Sequence, residues 1–415
     1  MLEVTAALAK LLEHFSPVEA ETIKLERANH RVLARDIIAD SDIPSFDNSS
    51  MDGYAVRSED ISGASLESPV SLRVVDDIPA GKQPVRSIYT REAARIMTGA
   101  LIPPGADAVV PVELTDQQRL SDHGGGKSPD LVMISSPVEK GAYIRHKGSY
   151  IHQGSTVLKS GMVLRPQDIG LLAMLGKSEL QVFRKPLIGL ISSGDELVPV
   201  DQPLMAGKVH DSNAYMLIGL IERDGGQSIY QGIIPDDEQA ILVAMEQLVA
   251  RKVDMIVSTA GVSVGAFDLV KVVVERKGQL DFWRVNMRPG KPLAFGHFMG
   301  IPFIGLPGNP VSAFVGYEVF VRPAVLKLSG KNELFRRRII ATVEQPLASD
   351  GRESYLRAIV RYKDRTWRAS LTGGQESGNL YSLVQANALL IVSSGVKSLP
   401  SGSEVEAWIL DETDF

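Results

Sequence analysis

The chain of 415 residues contains no cysteine. That absence excludes disulfides, Cys-ligated zinc, iron–sulfur clusters and thiol nucleophiles, and it fits a reducing compartment. Histidine is scarce: there are seven, and no pair has metal-ligand spacing. His146, His152 and His210 stand alone and read as structural or solvated. No apolar run reaches the ~20 residues that span a bilayer. The opening MLEVTAALAKLLEHF carries Glu3 and Glu13 in place of the basic head and apolar stretch of a secretory signal. A soluble, cytoplasmic protein without a membrane partner is expected. GxxxxGK[ST], GxSxG and HExxH are all missing, which removes the P-loop, the nucleophile elbow and the zincin helix. The formal net charge of -6 gives the surface as a whole no attraction for nucleic acid.

What remains is globular. Hydrophobic residues make up 44% and charged residues 23%, and the length predicts roughly two to four domains. Residues 3–14 place Val4, Ala7, Leu8, Leu11 and Leu12 at helical spacing. The segment SDIPSFDNSSMDGYAV reads as a loop running into a strand at Tyr54–Val56, and residues 57–145 read as short strands between Gly and Pro signals. SDHGGGKSPD reads as a hairpin tip or loop, and PQDIGLLAMLG as a helix. From residue 186 strands and helices alternate, which predicts a parallel sheet covered on both faces. Ser212 or Asn213 is placed to cap the helix that runs through Glu222, and PVSAFVGYEVFVRPAVLKL reads as one long helix. Residues 331–415 predict a small all-β domain.

In an open α/β sheet, ligands bind at the carboxyl ends of the strands, and four loops there are chemically loaded. SSGDEL sets Asp195 and Glu196 beside the turn residue Gly194; the plain alternative is that these carboxylates cap a helix. In STAGVSVGAFDLVK, Gly261 and Gly265 flank Ser263 and let backbone N–H groups approach an anion. Asp268, in the helix turn that follows, either caps it or holds a cation that bridges to phosphate, and the glycines favour the cation. FWRVNMRPGKPLAFG gathers Arg284, Arg288 and Lys291 around a Pro-Gly turn, a planar fork and a point charge suited to oxyanions. GLPGNPVSAF puts Pro307, Asn309 and Pro310 at a rigid helix start, which is chiefly structural but also suits an anion. Asp47, Asp52, Thr98 and Gly99 lie in two further loops, each weak by itself.

Taken together, SFDNSSMDGYAV, RIMTGALIPPGADAVVPVE, SSGDEL, AGVSVGAFD, RPGKPLAFG and GLPGNPVSA resemble, in order, the MoeA-type molybdopterin molybdenumtransferases (molybdenum insertases), a family that includes the gephyrin E domain. The resemblance covers essentially the whole chain. It implies an α/β multidomain fold. Residues 1–45 and 145–182 would form a discontinuous helical or mixed N-terminal domain. Residues 46–144 would form an inserted β-rich domain. Residues 183–330 would be a doubly wound molybdopterin-binding α/β domain, and residues 331–415 a small β-barrel. It implies a homodimer with a shared active-site cleft, an upstream molybdopterin adenylyltransferase and downstream molybdoenzymes. The implied reaction inserts molybdate into adenylylated molybdopterin, with Mg2+-dependent phosphoanhydride hydrolysis and release of AMP.

By position, the resemblance makes Asp268, Glu196, Asp52 and Thr98 catalytic, with Asp268 and Glu196 on magnesium and with Asp52 and Thr98 supplied by the partner subunit. Arg284, Arg288, Lys291, Arg357 and Ser377 would lie near molybdate or the phosphates. Gly194, Asp195, Gly261, Ser263, Gly265, Pro307, Asn309 and Pro310 would line the substrate site, with Asp236 and Asp237 at the edge of the pterin domain. The chain departs from the family pattern in Arg284 and Arg288 where lysine is common. It also has Ala260 before Gly261, Ser193 for threonine, and Tyr150 where an acidic residue is common. A gephyrin-like non-catalytic scaffold and a tungstate-preferring paralogue are the alternative expectations.

Overall fold

The computed structural model describes residues 1–117, 128–260 and 266–410, without the side chains of Ala260, Ala266, Phe267, Asp268 and Trp283. The described chain divides into two compact units. One comprises residues 1–35, 160–173 and 177–415; the other comprises 36–159 with 174–176.

The larger unit opens with α1 (Val4–Leu12), whose buried face carries Val4, Ala7 and Leu11, and with β1 (Ala20–Lys24). The smaller unit is a five-stranded sheet. Its strands are β2 (Gly53–Val56), β3 (Val70–Ile78), β4 (Glu92–Ile96), β5 (Ala108–Pro111) and β6 (Leu131–Ile134). They lie in the order β5-β2-β4-β3-β6. Gly53 sits where a Cβ would meet the Val110 carbonyl oxygen at 2.0 Å, so only glycine permits β2 and β5 to pair this closely. Most of the predicted SDHGGGKSPD loop falls on residues 118–127, outside the described residues.

The larger unit resumes with α2 (Pro166–Met174) and β7 (Glu179–Phe183), the latter antiparallel to β1. The α/β part then runs through β8 (Leu187–Ser193), α3 (Ser212–Arg223), β9 (Gln227–Ile234), α4 (Glu238–Ala250), β10 (Met255–Ala260), α5 (Ala266–Lys277) and β11 (Gly278–Arg284). It continues through β12 (Met287–Arg288), β13 (Pro292–Phe298), β14 (Ile301–Pro307), α6 (Pro310–Gly316) and α7 (Arg322–Leu328). Six strands form one sheet in the order β9-β8-β10-β14-β13-β11.

Three local expectations are corrected. The sheet is parallel only across β9, β8, β10 and β14; β13 and β11 join antiparallel. The reason is the two-residue turn Met299-Gly300, with φ of 50° and 83°, which folds β13 straight back onto β14 as a hairpin. The cap of α3 is Asp211, whose side chain accepts from Ala214 N at 3.1 Å, and not Ser212 or Asn213. The long helix is continuous but widens into a π-helical stretch over Tyr317–Val321. Pro323 follows it and has no N–H to donate to Val319, which breaks the regular i to i−4 ladder there.

The C-terminal strands are β15 (Arg338–Val343), β16 (Glu353–Lys363), β17 (Thr366–Leu371), β18 (Ala388–Val392) and β19 (Glu404–Ile409), with α8 (Leu380–Val384) between β17 and β18. They close on themselves as β16-β17-β15-β19-β18-β16, a five-stranded barrel with β12 added beside β16. One apolar core joins Val4, Leu11 and Phe15 with sheet residues such as Ile188 and Met255 and with Tyr355, Leu389 and Trp408 of the barrel. Burial of this shared core fixes the barrel against the α/β sheet.

Candidate functional site

Two adjacent cavities open in the larger unit, where the strands of the sheet end and the barrel begins. The first, about 320 Å³, is lined by Arg288, Lys291, Arg352, Arg357, Asn309 and Ser377 among others. The second, about 610 Å³, is lined by Glu196, His210, Asp211, Asn213, Pro307 and Pro310 among others. Pro292, Asn309 and Ser312 belong to both walls. A cation-rich chamber thus shares a partition with a larger chamber that carries carboxylates.

The cation-rich chamber is built from β12, the Pro289-Gly290 turn and a barrel loop. Gly290 has φ 98°, a left-handed conformation that brings Arg288 and Lys291 to one wall. Arg357, on β16, is fully buried. Its guanidinium donates to Ser382 Oγ at 3.1 Å and to the carbonyl oxygens of Gln375 (3.2 Å), Gly374 (3.1 Å) and Glu376 (3.0 Å). Four of its five N–H groups are therefore spent, three on the loop that leads to Ser377 and one on Ser382 of α8. Burial pulls its pKa down from the ordinary value, opposed by Glu376. Asn309 is the N-terminal cap residue of α6 without a capping bond; its Nδ2 donates instead to Ser377 Oγ at 2.9 Å. Val311 N donates to Ser377 O at 3.1 Å. Arg284, at the end of β11, is exposed and does not line either chamber.

Glu196 is the one residue of the Gly194, Asp195, Glu196 and Asp236 group that lines the larger chamber; Gly194 has φ 149°, and a Cβ on it would meet the Glu196 carboxylate at 2.7 Å. The positive φ favours glycine at this turn, and the Glu196 carboxylate folds back over it. No helix follows, so Asp195 and Glu196 are not helix caps; Leu197–Val198 is a short strand. Asp236 lies after β9, with its N–H donating to Asp195 Oδ1 at 3.2 Å. Its Oδ1 is buried without a hydrogen-bond partner among the described residues. Burial pushes the Asp236 carboxyl up, and the charges of Asp195 and Glu196 add to that. Asn213 Nδ2 donates to Gly308 O at 2.7 Å, tying α3 to the turn before α6.

The remaining expected residues sit elsewhere. Gly261, Ser263 and Gly265 fall outside the described residues. Asp268 belongs to the first turn of α5, and its side chain is outside the description as well. Asp52 and Thr98 meet in the smaller unit: Thr98 N and Oγ1 both donate to Asp52 Oδ1, at 2.6 and 2.8 Å. Asp237 caps α4 by accepting from Ala240 N at 2.8 Å. Arg352, Gln375, Asp211 and Asn213 join the chamber walls but carry no motif. Only the Asp-Ser-Asn run at the start of α3 could have marked two of them. Among the described residues no group of three or more His, Cys, Asp or Glu is gathered tightly enough to hold a metal ion, and no helix is long and apolar enough to cross a membrane.

Comparison with known proteins agrees with this architecture. Residues 2–176 match the MoeA N-terminal region (domain I and II), residues 189–327 a probable molybdopterin binding domain, and residues 341–410 the MoeA C-terminal region (domain IV). The chain is 36% identical to a molybdopterin molybdenumtransferase from Nostoc sp. over 94% of this chain and 88% of that one. It is 34% identical to the molybdopterin molybdenumtransferase of Haemophilus influenzae over 98% of each. Its fold superposes with a TM-score of 0.84 on the molybdopterin biosynthesis MoeA protein from Pyrococcus horikosii, at 30% identity and 99% coverage of both chains. The chain belongs to the MoeA-type molybdopterin molybdenumtransferases, enzymes of molybdenum cofactor biosynthesis.

Proposed function

We propose that the chain inserts molybdate into adenylylated molybdopterin, with magnesium-dependent hydrolysis of the phosphoanhydride and release of AMP. The observation that carries this reading is the shared partition of Pro292, Asn309 and Ser312 between the two chambers. A small oxyanion beside Arg288 and Lys291 would lie one wall away from a pterin nucleotide in the larger chamber. Such adjacency converts an encounter between two substrates into a positioned reaction.

The carboxylates here would suit a divalent cation once a further oxygen donor joins them. Asp236 Oδ1 is buried and unpartnered, and its near neighbours Asp195 and Glu196 are both acidic. A hard cation that takes oxygen ligands would relieve that arrangement. Glu196 and Asp236, completed by Asp268, would hold it. When bound, magnesium neutralises charge on the phosphoanhydride oxygens. Lys291 and Arg288 hold the oxyanion by charge-assisted hydrogen bonds, and Arg357 keeps the Ser377 loop in place behind it. The Asp52–Thr98 pair would enter the cleft from a second subunit of a homodimer. Molybdopterin adenylyltransferase would supply the substrate, and molybdoenzymes would receive the product.

The test is AMP release from adenylylated molybdopterin by the purified protein with magnesium. Release should require molybdate, fall at least roughly a hundredfold in Glu196→Gln as expected for loss of a charged active-site group, and recover when inactive Glu196→Gln and Asp52→Ala subunits are mixed. Release at the same rate without molybdate would contradict the insertase reading. Failure of the mixed subunits to recover would contradict the shared cleft.

A further inference from the structure

A third cavity, of about 420 Å³, lies in the larger unit and shares no lining residue with either chamber. Five cationic side chains line it: Arg31, Arg184, Lys185, Arg223 and Lys331, against the single carboxylate of Glu222. Arg184 is fully committed, to Asp254 through two contacts of 2.7 Å and to Glu19 at 2.8 Å. The other four retain unused donors. Arg31 spends only Nη2, on Glu21 and on the Phe183 carbonyl oxygen. Arg223 spends Nε and Nη2 on Asp224 and Glu318, which leaves Nη1. Lys331 Nζ makes one bond, to Asp224 O at 2.9 Å, and keeps two N–H groups. The Lys185 ammonium has no partner among the described residues.

The floor of this cleft is short of negative charge. Asp224 and Glu318 are buried there, and four cations surround them: Arg223, Arg322, Arg336 and Lys331. Arg322 Nε is buried without a hydrogen bond and meets Asp224 and Glu318 only at ion-pair distances of 3.5 and 3.8 Å. Burial, with Arg322 and Arg223 close by, pulls Lys331 down from its ordinary pKa. A concave wall with more cations than carboxylates behind it focuses the field onto its mouth. His30 stands at that mouth with φ 61°, a left-handed backbone held by His30 N donating to Leu164 O at 2.9 Å. Val32, Val163 and Phe183 supply an apolar wall, and the volume exceeds that of a bare tetrahedral ion.

We infer that this cleft binds the phosphoryl group of a small phosphate monoester, with Lys331, Arg223, Arg31 and Lys185 on the oxygens and the organic part against Val163 and Phe183. The site is separate from the two reaction chambers. Phenyl phosphate is the probe, titrated calorimetrically into the full chain carrying Arg288→Gln and Lys291→Gln, which silences the cation-rich chamber. One saturable site per chain is expected. Adding Lys185→Gln, an exposed and unpartnered position, should weaken it roughly tenfold, the effect of losing one charge-assisted hydrogen bond. Arg31→Gln should act alike, with the melting temperature recorded to verify folding. Absence of saturable binding in the Arg288→Gln/Lys291→Gln background, or binding that neither further substitution weakens, would overturn the site. Inorganic phosphate binding as tightly as phenyl phosphate would overturn the part assigned to the organic group.

Discussion

Asn309 Nδ2 donates to Ser377 Oγ across 2.9 Å, which ties the turn that opens α6 to the barrel loop on the other side of the cation-rich chamber. The backbone bond from Val311 N to Ser377 O survives a change of side chain. Ser377→Ala should therefore cost only about 0.5–1 kcal/mol of stability, the lower range for one hydrogen bond. It should raise the KM for molybdate roughly threefold to tenfold, leaving the KM for the pterin substrate alone. Steady-state AMP release with each substrate varied in turn reads both.

Arg357 supports a sharper distinction. If its part is to hold residues 374–376 in place, Arg357→Lys should destabilise the protein even without any ligand, by about 2–3 kcal/mol, since carbonyl oxygens lose buried partners. Urea denaturation in molybdate-free buffer measures this. Unchanged stability with a raised molybdate KM would mean that the guanidinium works only by touching the anion.

Asp236 predicts a pH dependence with a definite sign. Burial first, then Asp195 and Glu196, raise its pKa in the folded chain. The folded state therefore binds the proton more tightly than the unfolded state, where aspartate titrates at about 3.9. Between that value and the raised one, stability falls as pH rises, and above the window the full cost remains. Thermal melts in chelator should show this fall for the unaltered protein and a flatter profile for Asp236→Asn. At neutral pH magnesium should raise the melting temperature of the former more than that of the latter.

Glu318 has a fully buried side chain and accepts from Arg223 at 2.8 Å and from Arg336 twice at 2.9 Å. Glu318→Gln would leave those cations less compensated still. Removing one partner of a buried ionic cluster costs about 3–5 kcal/mol, and equilibrium denaturation should register a loss of that order. A change near zero would mean that Asp224 alone balances the cluster.

Much of this was legible before any coordinates. Period-3.6 spacing marked α1 and α4, and β-branched runs between turn signals marked β8, β10 and the five barrel strands. Each of these signals is local, so a short window suffices to read it. The position of SSGDEL at the end of a strand is legible because strand, turn and carboxylates are contiguous. The Met299-Gly300 hairpin is not legible in the sequence because a two-residue reversal gives little composition to see. The cap of α3 is ambiguous in the sequence because Asp211, Ser212 and Asn213 are all good cap formers, and only the start of α3 selects among them.

The sequence by itself determined the element types, the α/β-then-β order, the glycine turns and, through six ordered motifs, the family. Those properties depend on residues close together in the chain, where backbone geometry and side-chain period act directly. The tertiary structure alone decided which charges meet. It put Arg357 to work on carbonyl oxygens and left Arg284 outside the chambers. It set Asp236 against Asp195 and Glu196, and gathered Arg31, Lys185, Arg223 and Lys331 around one cleft. Electrostatic neighbours are fixed by packing across long sequence separations, and no local pattern encodes a distance between side chains that far apart in the chain.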